Sequence, residues 1–304
     1  MAVKIVQMVV NGQTYNLTLN SSTGKYEATV NAPRETSYNV NSGHYYPVTI
    51  KATDDAGNTA TANDSDATMG SALRLRVKET VKPTVTVTHP TTGSKLSVNT
   101  MTVTWQVRDT GSGINPNTIG LTIDGGNKIT GNITKTAVTG GYNCSYAITT
   151  ALTDGSHTIK FDVSDYDGNA ATQVNTTFKV DTLPPSLTLS SPANNLITNQ
   201  SSVVVSGVTN DAATGIESLT IKVNNGNTIN VTVNADGSFS ESISLVDGTN
   251  TIVVIATDGV GRTSSVTRSV KYDDSAPVIS NPVITPNPVT TGELFTISVT
   301  VIDE

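Results

Sequence analysis

Apolar and polar residues alternate along most of the chain, in segments about as long as single β-strands. In the stretch MTVTWQVRD, polar side chains fall on one side of the extended chain, and the other side carries Met101, Val103, Trp105 and Val107. An alternation with a period of two is typical of a strand with one buried face. Turn residues interrupt the alternation at intervals of roughly 8 to 12 residues. The pattern predicts many short strands, with Trp105 in a core.

One strand–turn–strand pattern occurs three times in the chain. The segments are VTIKATDDAGNTATA at 48–62, HTIKFDVSDYDGNAAT at 157–172 and NTIVVIATDGVGRTSS at 250–265. A pattern that recurs along one chain is typical of a repeated structural unit. The boundaries of that unit therefore decide how the chain is divided into domains.

Linkers with a common spacing mark those boundaries. In each linker an acidic residue lies four positions before a proline, and the pairs are Glu79 and Pro83, Asp181 and Pro185, and Asp273 and Pro277. The same distance of 26 residues then separates each proline from an aspartate, and these aspartates are Asp109, Asp211 and Asp303. The shared spacing indicates that the same two strands follow each proline.

Short strands, regular turn signals and units of about 100 residues predict an all-β protein of tandem immunoglobulin-like antiparallel β-sandwiches, arranged as an elongated rod. We expect whole domains at residues 79–180 and 181–272. Residues 1–78 match the later part of a unit and are predicted to be a partial or short domain that lacks its first two strands. Residues 273–304 are predicted to supply the first two strands of a further domain.

The two incomplete ends have three interpretations. The chain is part of a longer polypeptide, which is the interpretation we favour. Alternatively, the first domain is a genuine short sandwich whose edge is covered by the stretch ANDSDATMGSALRLRV. In the third interpretation, the C-terminal strands of one molecule complete the N-terminal domain of the next, which gives head-to-tail self-association.

Composition excludes several classes of partner. Charged residues make up 14% of the chain, the net charge is −7, and Lys and Arg are not clustered, so we expect no nucleic-acid partner. No apolar stretch is long enough for membrane insertion. The N-terminus lacks the apolar run of a signal peptide.

Cys144 is the only cysteine in the sequence, so no disulfide forms within the chain. A buried position on a strand is expected for Cys144.

The sequence offers little catalytic chemistry. The three histidines, His44, His89 and His157, show neither metal-site nor catalytic-triad spacing, and solvated positions are expected for His89 and His157. Glycine clusters such as IDGGN are typical of hairpin turns rather than of a phosphate-binding loop. We therefore predict that the protein is not an enzyme.

The acidic residues predict candidate calcium sites. In an immunoglobulin-like topology, the loop after the second strand and the loop between the last two strands lie at the end where the chain enters. Calcium takes its ligands from oxygens, largely those of carboxylates and carbonyls. The predicted ligands are Glu79, Asp109, Asp165 and Asp167 at one junction, and Asp181, Asp211 and Asp258 at the next. The competing explanation is that these aspartates only cap tight turns. Arg262, at a position where the other repeats have Asn58 and Asn169, weakens the calcium hypothesis.

Adjacent aromatic residues provide a candidate carbohydrate surface. Tyr45 and Tyr46 follow each other in GHYYPV, and tyrosine faces can stack on sugar rings. The alternative is that both rings cover an edge of a sandwich.

The motifs VDTLPP, DTGSGI, DAATGI and DYDGN resemble those of tandem bacterial immunoglobulin-like (Big-type) domains. Such domains occur in structural proteins of tailed phages and in bacterial surface adhesins. The resemblance implies a non-enzymatic structural and adhesive protein on a phage or prophage virion, made in the host cytoplasm. Its expected partners are other virion or cell-surface proteins and host-surface carbohydrate. The alternatives are stalk repeats of a bacterial cell-surface adhesin and an accessory region of a larger carbohydrate-active enzyme.

Overall fold

The computed structural model describes residues 2–303, and the regular secondary structure of this part of the chain is almost wholly β-strand. The described helices are two short 3-10 helices, Ser37–Asn39 and Gly70–Leu73, and neither is long and apolar enough to cross a membrane. The chain divides into two compact units. One contains the residues up to Ser94, Thr100–Leu152 and Ser156–Phe178, and the other contains Lys95–Asn99, Thr153–Gly155 and the residues from Lys179 onward.

The chain begins with one antiparallel sheet, which we call the N-terminal sheet. Its strands are β1 (Val3–Val10), β2 (Gln13–Asn20), β3 (Lys25–Glu27), β4 (Tyr46–Asp54), β5 (Thr59–Ala62) and β6 (Arg74–Leu75). Their order is β3-β2-β1-β4-β5, and β6 also pairs with β4. Asn11 and Gly12 join β1 to β2 with φ of 46° and 73°, because a two-residue hairpin turn needs positive φ.

The apolar residues of the N-terminal sheet are concentrated on one face. Met8 lies opposite Ile50, and Val10 lies opposite Val48, on the neighbouring strands β1 and β4. Tyr46 packs with them, and Leu73, Leu75 and Val77 pack against the same cluster. The strands that the structure describes in residues 2–78 form no second sheet over this face.

The next strands form two sheets, which we call the first sandwich. They are β7 (Thr84–His89), β8 (Lys95–Leu96), β9 (Met101–Arg108), β10 (Gly120–Ile123), β11 (Thr134–Val138), β12 (Gly141–Ile148), β13 (Gly155–Asp162) and β14 (Val174–Val180). The sheet orders are β11-β12-β9-β7 and β10-β13-β14-β8. The Trp105 ring from one sheet and the Phe161 ring from the other lie 5.2 Å apart, so the predicted core position of Trp105 is confirmed.

The second sandwich repeats this plan. Its strands are β15 (Ser186–Ser191), β16 (Leu196–Thr198), β17 (Ser202–Asn210), β18 (Ile216–Val223), β19 (Thr228–Asn230), β20 (Ser238–Ser244), β21 (Gly248–Asp258) and β22 (Thr263–Tyr272). They form the sheets β15-β17-β20 and β16-β22-β21-β18-β19. Val205 and Phe239 of the first sheet share one core with Ile221 and Val254 of the other. The all-β prediction of tandem sandwiches is therefore confirmed.

The last two strands form a separate antiparallel pair, which we call the C-terminal hairpin: β23 (Val278–Thr285) and β24 (Thr296–Ile302). Its register repeats that of the sandwiches, since the residue after the linker proline pairs with the residue before the aspartate each time. The three pairs are Thr84 with Arg108, Ser186 with Asn210, and Val278 with Ile302. The equal spacing in the sequence thus reflects equal strand pairing.

The predicted solvated position of His157 is wrong. Its side chain is 6% exposed, and its Nδ1 lies 2.7 Å from Oδ2 of Asp124. The reason is the alternation along β13, which turns His157 to the same side as the buried residues Ile159 and Phe161.

Candidate metal centres

The turn after the second strand of each sandwich is capped by an aspartate. Asp109 follows β9, and its Oδ2 accepts hydrogen bonds from the backbone N–H groups of Gly111 and Gly113 at 3.0 and 2.7 Å. Asp211 follows β17, and its Oδ1 accepts from Thr214 and Gly215 at 2.7 and 2.9 Å. Both aspartates therefore do the turn-capping work that their residue type predicts.

The turn between the last two strands is also capped by an aspartate. Oδ1 of Asp165 accepts from the backbone N–H of Asn169 at 2.7 Å, and its Oδ2 accepts from the Asn169 side-chain amide at 2.7 Å. In the second sandwich, Oδ1 of Asp258 accepts from Val260 and Arg262 at 2.9 and 2.8 Å. Capping of this turn uses Oδ1 of Asp258 and leaves Oδ2 without a hydrogen-bond donor among the described residues.

A linker acid joins these two turns in the first sandwich. Glu79, Asp109 and Asp165 each place a carboxylate oxygen within 4.8 Å of the others, and we call this group the Glu79 cluster. Oε1 of Glu79 accepts from the backbone N–H of Ser112 at 2.5 Å. A Cβ on Gly111 would collide with the Glu79 carboxylate, so glycine is required for this close approach.

The second sandwich has the corresponding group, which we call the Asp181 cluster. Asp181, Asp211 and Asp258 place carboxylate oxygens within 4.8 Å of one another. Asp181 is fully buried, and its Oδ2 accepts a short hydrogen bond from the Thr214 hydroxyl. The structure thus brings together six of the seven residues that the sequence predicts as calcium ligands.

Three carboxylate oxygens in these clusters are buried without a hydrogen-bond donor among the described residues: Oδ1 of Asp109, Oδ1 of Asp181 and Oδ2 of Asp258. Their residues are 6%, 0% and 1% exposed. A buried oxygen without a partner is unfavourable, and so is the repulsion among three close carboxylates. A hard divalent cation removes both costs, because it binds the free oxygens and neutralises the charge. The donor set therefore fits calcium.

Asp167 lies outside the Glu79 cluster. Its Oδ2 accepts hydrogen bonds from the hydroxyl of Thr36 at 2.5 Å and from the backbone N–H of Glu79 at 3.1 Å. Its backbone carbonyl accepts from Nζ of Lys78 at 3.2 Å. Asp167 therefore connects the segment between β3 and β4 to the linker and to the first sandwich.

An aromatic stack next to Asp167 was not predicted from the sequence. The Tyr38 ring lies between His44, at 3.9 Å, and Tyr166, at 4.3 Å, with planes tilted by 6° and 13°. The separation of these residues along the chain hides the contact, and the only signal is an aromatic residue inside the turn DYDGN. The stack and Asp167 connect the same two parts of the compact unit.

Tyr45 and Tyr46 do not form a common surface. Tyr46 is 4% exposed, packs in the core of the N-terminal sheet and donates a hydrogen bond to the Glu35 carbonyl at 3.2 Å. Tyr45 is half-buried and donates to Oδ2 of Asp64 at 2.8 Å, and the Arg74 guanidinium lies 5.0 Å from the centre of its ring. Tyr46 is the first residue of β4 and faces the core, whereas Tyr45 lies in the bend before the strand. Only Tyr45 is accessible to a ligand.

Two segments of the chain match family models. Residues 83–160 match a bacterial Ig domain, and residues 185–273 match domain B of glucodextranase. None of the curated proteins matches the chain. The matches confirm the resemblance to bacterial immunoglobulin-like domains for these two segments.

Solved structures of tandem-domain proteins are similar to the chain at low identity. Fibronectin(III)-like modules of Clostridium thermocellum CbhA are 17% identical, over 62% of this chain and 94% of theirs, with a TM-score of 0.35. An I-band fragment of titin is 12% identical over 89% and 88%, with a TM-score of 0.42. A chain from a structure reported for a 1.5-MDa bacterial ice-binding adhesin is 21% identical, over 90% of this chain and 87% of that one, with a TM-score of 0.30. All three TM-scores are low, so we draw no functional inference from them.

Proposed function

We propose that this chain of tandem immunoglobulin-like domains is a non-enzymatic structural and adhesive protein whose linkers are fixed by bound calcium. The observation that supports the proposal is the pair of carboxylate clusters in which buried oxygens lack a hydrogen-bond donor. Calcium takes about six to eight oxygen ligands, and carboxylates, backbone carbonyls and water all serve. Each cluster supplies three carboxylates to such a site.

The proposed ion acts on the linker that precedes each sandwich. Glu79 belongs to one linker and Asp181 to the next, whereas the other ligands belong to two turns of the sandwich that follows. Binding one ion therefore attaches the linker to both turns at once. Asp167 is not a proposed ligand, because its Oδ2 already accepts two hydrogen bonds.

Calcium titration of the chelator-treated protein tests this proposal. We expect two ions per chain by isothermal titration calorimetry, and stabilisation of roughly 2.7 kcal/mol per site when free calcium is about 100 times the Kd. The variants Glu79→Gln and Asp181→Asn should each lose one ion, because each removes one charged ligand. No heat of binding and an unchanged thermal midpoint would contradict the proposal.

Asp54→Asn is the matched control for these variants. Asp54 caps the same kind of turn in the N-terminal sheet, where its carboxylate accepts hydrogen bonds from Asn58. Among the described residues it belongs to no acidic cluster. The control should keep both ions, so a loss of binding in all three variants would indicate general destabilisation rather than loss of a ligand.

The proposed location is the surface of a phage or prophage virion, where many copies make weak contacts with host-surface carbohydrate and gain avidity. The resemblance to bacterial immunoglobulin-like domains supports this, and it also fits the stalk of a bacterial surface adhesin. Antibody labelling of purified particles and of intact cells distinguishes the two locations.

Beads densely coupled to host polysaccharide should retain the protein, and Tyr45→Ala should weaken that retention. Failure of the dense beads to bind would contradict the adhesive role.

A second candidate function is supported by the match of residues 185–273 to domain B of glucodextranase. In that case the chain is an accessory region of a larger carbohydrate-active enzyme. The complete reading frame decides between the candidates, because the accessory role requires a catalytic domain in the same polypeptide.

A further inference from the structure

The apolar face of the N-terminal sheet borders a groove. The groove has a volume of about 670 Å³, with Met8, Val10, Val48 and Ile50 on one side and the segment 28–33 on the other. Segment 28–33 is largely exposed and forms no strand, and the Val30 side chain is 36% exposed. This side of the small sheet is covered in part by Leu73, Leu75 and Val77, but among the described residues it lacks the second sheet that both sandwiches have.

In the second sandwich the corresponding position is filled by a pair of strands. GSFSESI at 237–243 is the counterpart of GKYEATV at 24–30, and it lies in β20, which pairs with β17. Val205 of β17 then packs against Leu219, Ile221 and Val254 of the opposite sheet. In the N-terminal sheet, the counterpart of β20 is the short strand β3, which pairs with β2 and ends at Glu27. Among the described residues, no counterpart of β17 lies beside it.

The C-terminal hairpin has the inward face of such a strand pair. Positions 18, 20, 22 and 24 after the linker proline are the inward residues Met101, Val103, Trp105 and Val107 of β9. In the C-terminal hairpin the same positions hold Phe295, which directly precedes β24, and Ile297, Val299 and Val301 of β24. Their intervening neighbours are Thr and Ser. These apolar side chains are 52%, 60%, 46% and 57% exposed, whereas Val103, Trp105 and Val107 are at most 1% exposed.

An isolated two-stranded hairpin is only marginally stable in water, and its free edges favour pairing with another strand. Among the described residues, β23 and β24 pair only with each other. The hairpin thus has an apolar face and a strand edge to pair. Among the described residues, the N-terminal sheet has an apolar face without a second sheet over it, and its segment 28–33 forms no strand.

Charge is also complementary. Residues 273–304 contain Asp and Glu but no Lys or Arg, and Glu293 precedes β24. The groove is bordered by Arg74 and Arg76. Opposite charges at an interface increase the rate of association and select the correct partner.

We propose that the C-terminal hairpin of one molecule occupies the groove of the N-terminal sheet of a second copy. Strand β24 pairs with segment 28–33 as β17 pairs with β20, and its apolar face covers the partly exposed side chains of Met8 and Ile50. Because the two surfaces differ, the contact is head-to-tail, and repeated contacts build a filament. This association needs no calcium, since neither surface contains residues of the Glu79 or Asp181 cluster.

Light scattering of the full chain in chelator, over a range of concentrations, tests the association. We expect a mass that rises with concentration. The variant Ile297→Asp/Val299→Asp should stay monomeric, with the association weakened at least ~100-fold, because carboxylates would be buried without partners. The matched control is Ser298→Asp/Thr300→Asp, which adds the same charges on the outward face and should associate like the unaltered chain. A chain that is monomeric at every concentration, or inward and outward variants that associate equally, would overturn the proposal.

Mixing two variants tests the head-to-tail arrangement. Val30→Asp should disable the groove and leave the hairpin intact, whereas Ile297→Asp/Val299→Asp does the reverse. Each alone should be monomeric, and an equimolar mixture should form dimers and stop there. Larger species in the mixture, or no dimers at all, would contradict the proposed contact.

Discussion

A single residue four positions after the turn aspartate changes the chemistry of the turn. The side-chain amide of Asn169 occupies the second oxygen of Asp165 at 2.7 Å. Arg262 is longer, and its guanidinium donates instead to the Ser97 carbonyl at 2.7 Å, so Oδ2 of Asp258 is left without a donor. From the sequence, Arg262 counts against a calcium site. In the structure, however, arginine in place of asparagine leaves Oδ2 of Asp258 free to act as a ligand atom.

Cys144 shows at the same scale how burial controls reactivity. It lies inside β12 at 3% exposure, and burial raises the pKa of its thiol to about 11. Because the thiolate is the reactive form, we expect the folded protein to react with a thiol reagent at pH 8 at least ~100-fold more slowly than the unfolded chain. A colorimetric thiol assay with and without denaturant measures the ratio. Equal rates in both conditions would mean that the thiol is accessible.

At the scale of strands, pairing decides whether a pattern becomes a strand. GSFSESI forms β20 beside β17, whereas its counterpart at 24–30 forms a strand only over Lys25–Glu27. The same alternation therefore gives different structures, because a strand needs the hydrogen bonds of a neighbour. Close contact between neighbours also selects small residues, and Gly207 of β17 is an example.

Gly207→Ala should destabilise the second sandwich. An added Cβ would collide with the Thr188 carbonyl oxygen and lie 3.0 Å from Cζ of Phe239. We expect a loss of about 2 kcal/mol in the free energy of unfolding, because overpacking displaces neighbouring backbone. Scanning calorimetry measures the change. Gly131→Ala is the control, since a Cβ there meets nothing within 4 Å, and an equal effect of both substitutions would contradict the steric explanation.

At the scale of the whole molecule, the N-terminal sheet and most of the first sandwich form one compact unit. The contacts within it include the Tyr38–Tyr166 stack and the hydrogen bond from Thr36 to Asp167. These contacts join residues more than 100 positions apart, and they hold the segment between β3 and β4 against the turn between the last two strands of the first sandwich.

Tyr166→Ala should weaken this connection. Removing the stacked ring is expected to cost about 1 kcal/mol and to lower the unfolding temperature of the N-terminal sheet, because the ring is its partner in the first sandwich. Scanning calorimetry of the full chain should show an earlier transition or a new one. Tyr166→Phe keeps the ring and should resemble the unaltered protein. Identical transitions for the Ala and Phe variants would show that the stack contributes no stability.

The sequence by itself determined the strands, the repeat and the acid positions of both clusters. Those features are local or periodic: alternation sets the buried face, and equal spacing from each linker proline sets the strand register, as the pairs Thr84–Arg108 and Val278–Ile302 demonstrate. The all-β tandem architecture follows from them.

Only the tertiary structure decided which side chains are free to act. Tyr46, His157 and Asp167 have residue types that suit a ligand site, yet packing and hydrogen bonds from distant segments occupy them. Conversely, the unpaired oxygens of Asp181 and Asp258 depend on where neighbouring donors point in space. Periodicity fixes the direction of a side chain along its own strand, whereas its partners come from other strands, and only the folded chain brings those together.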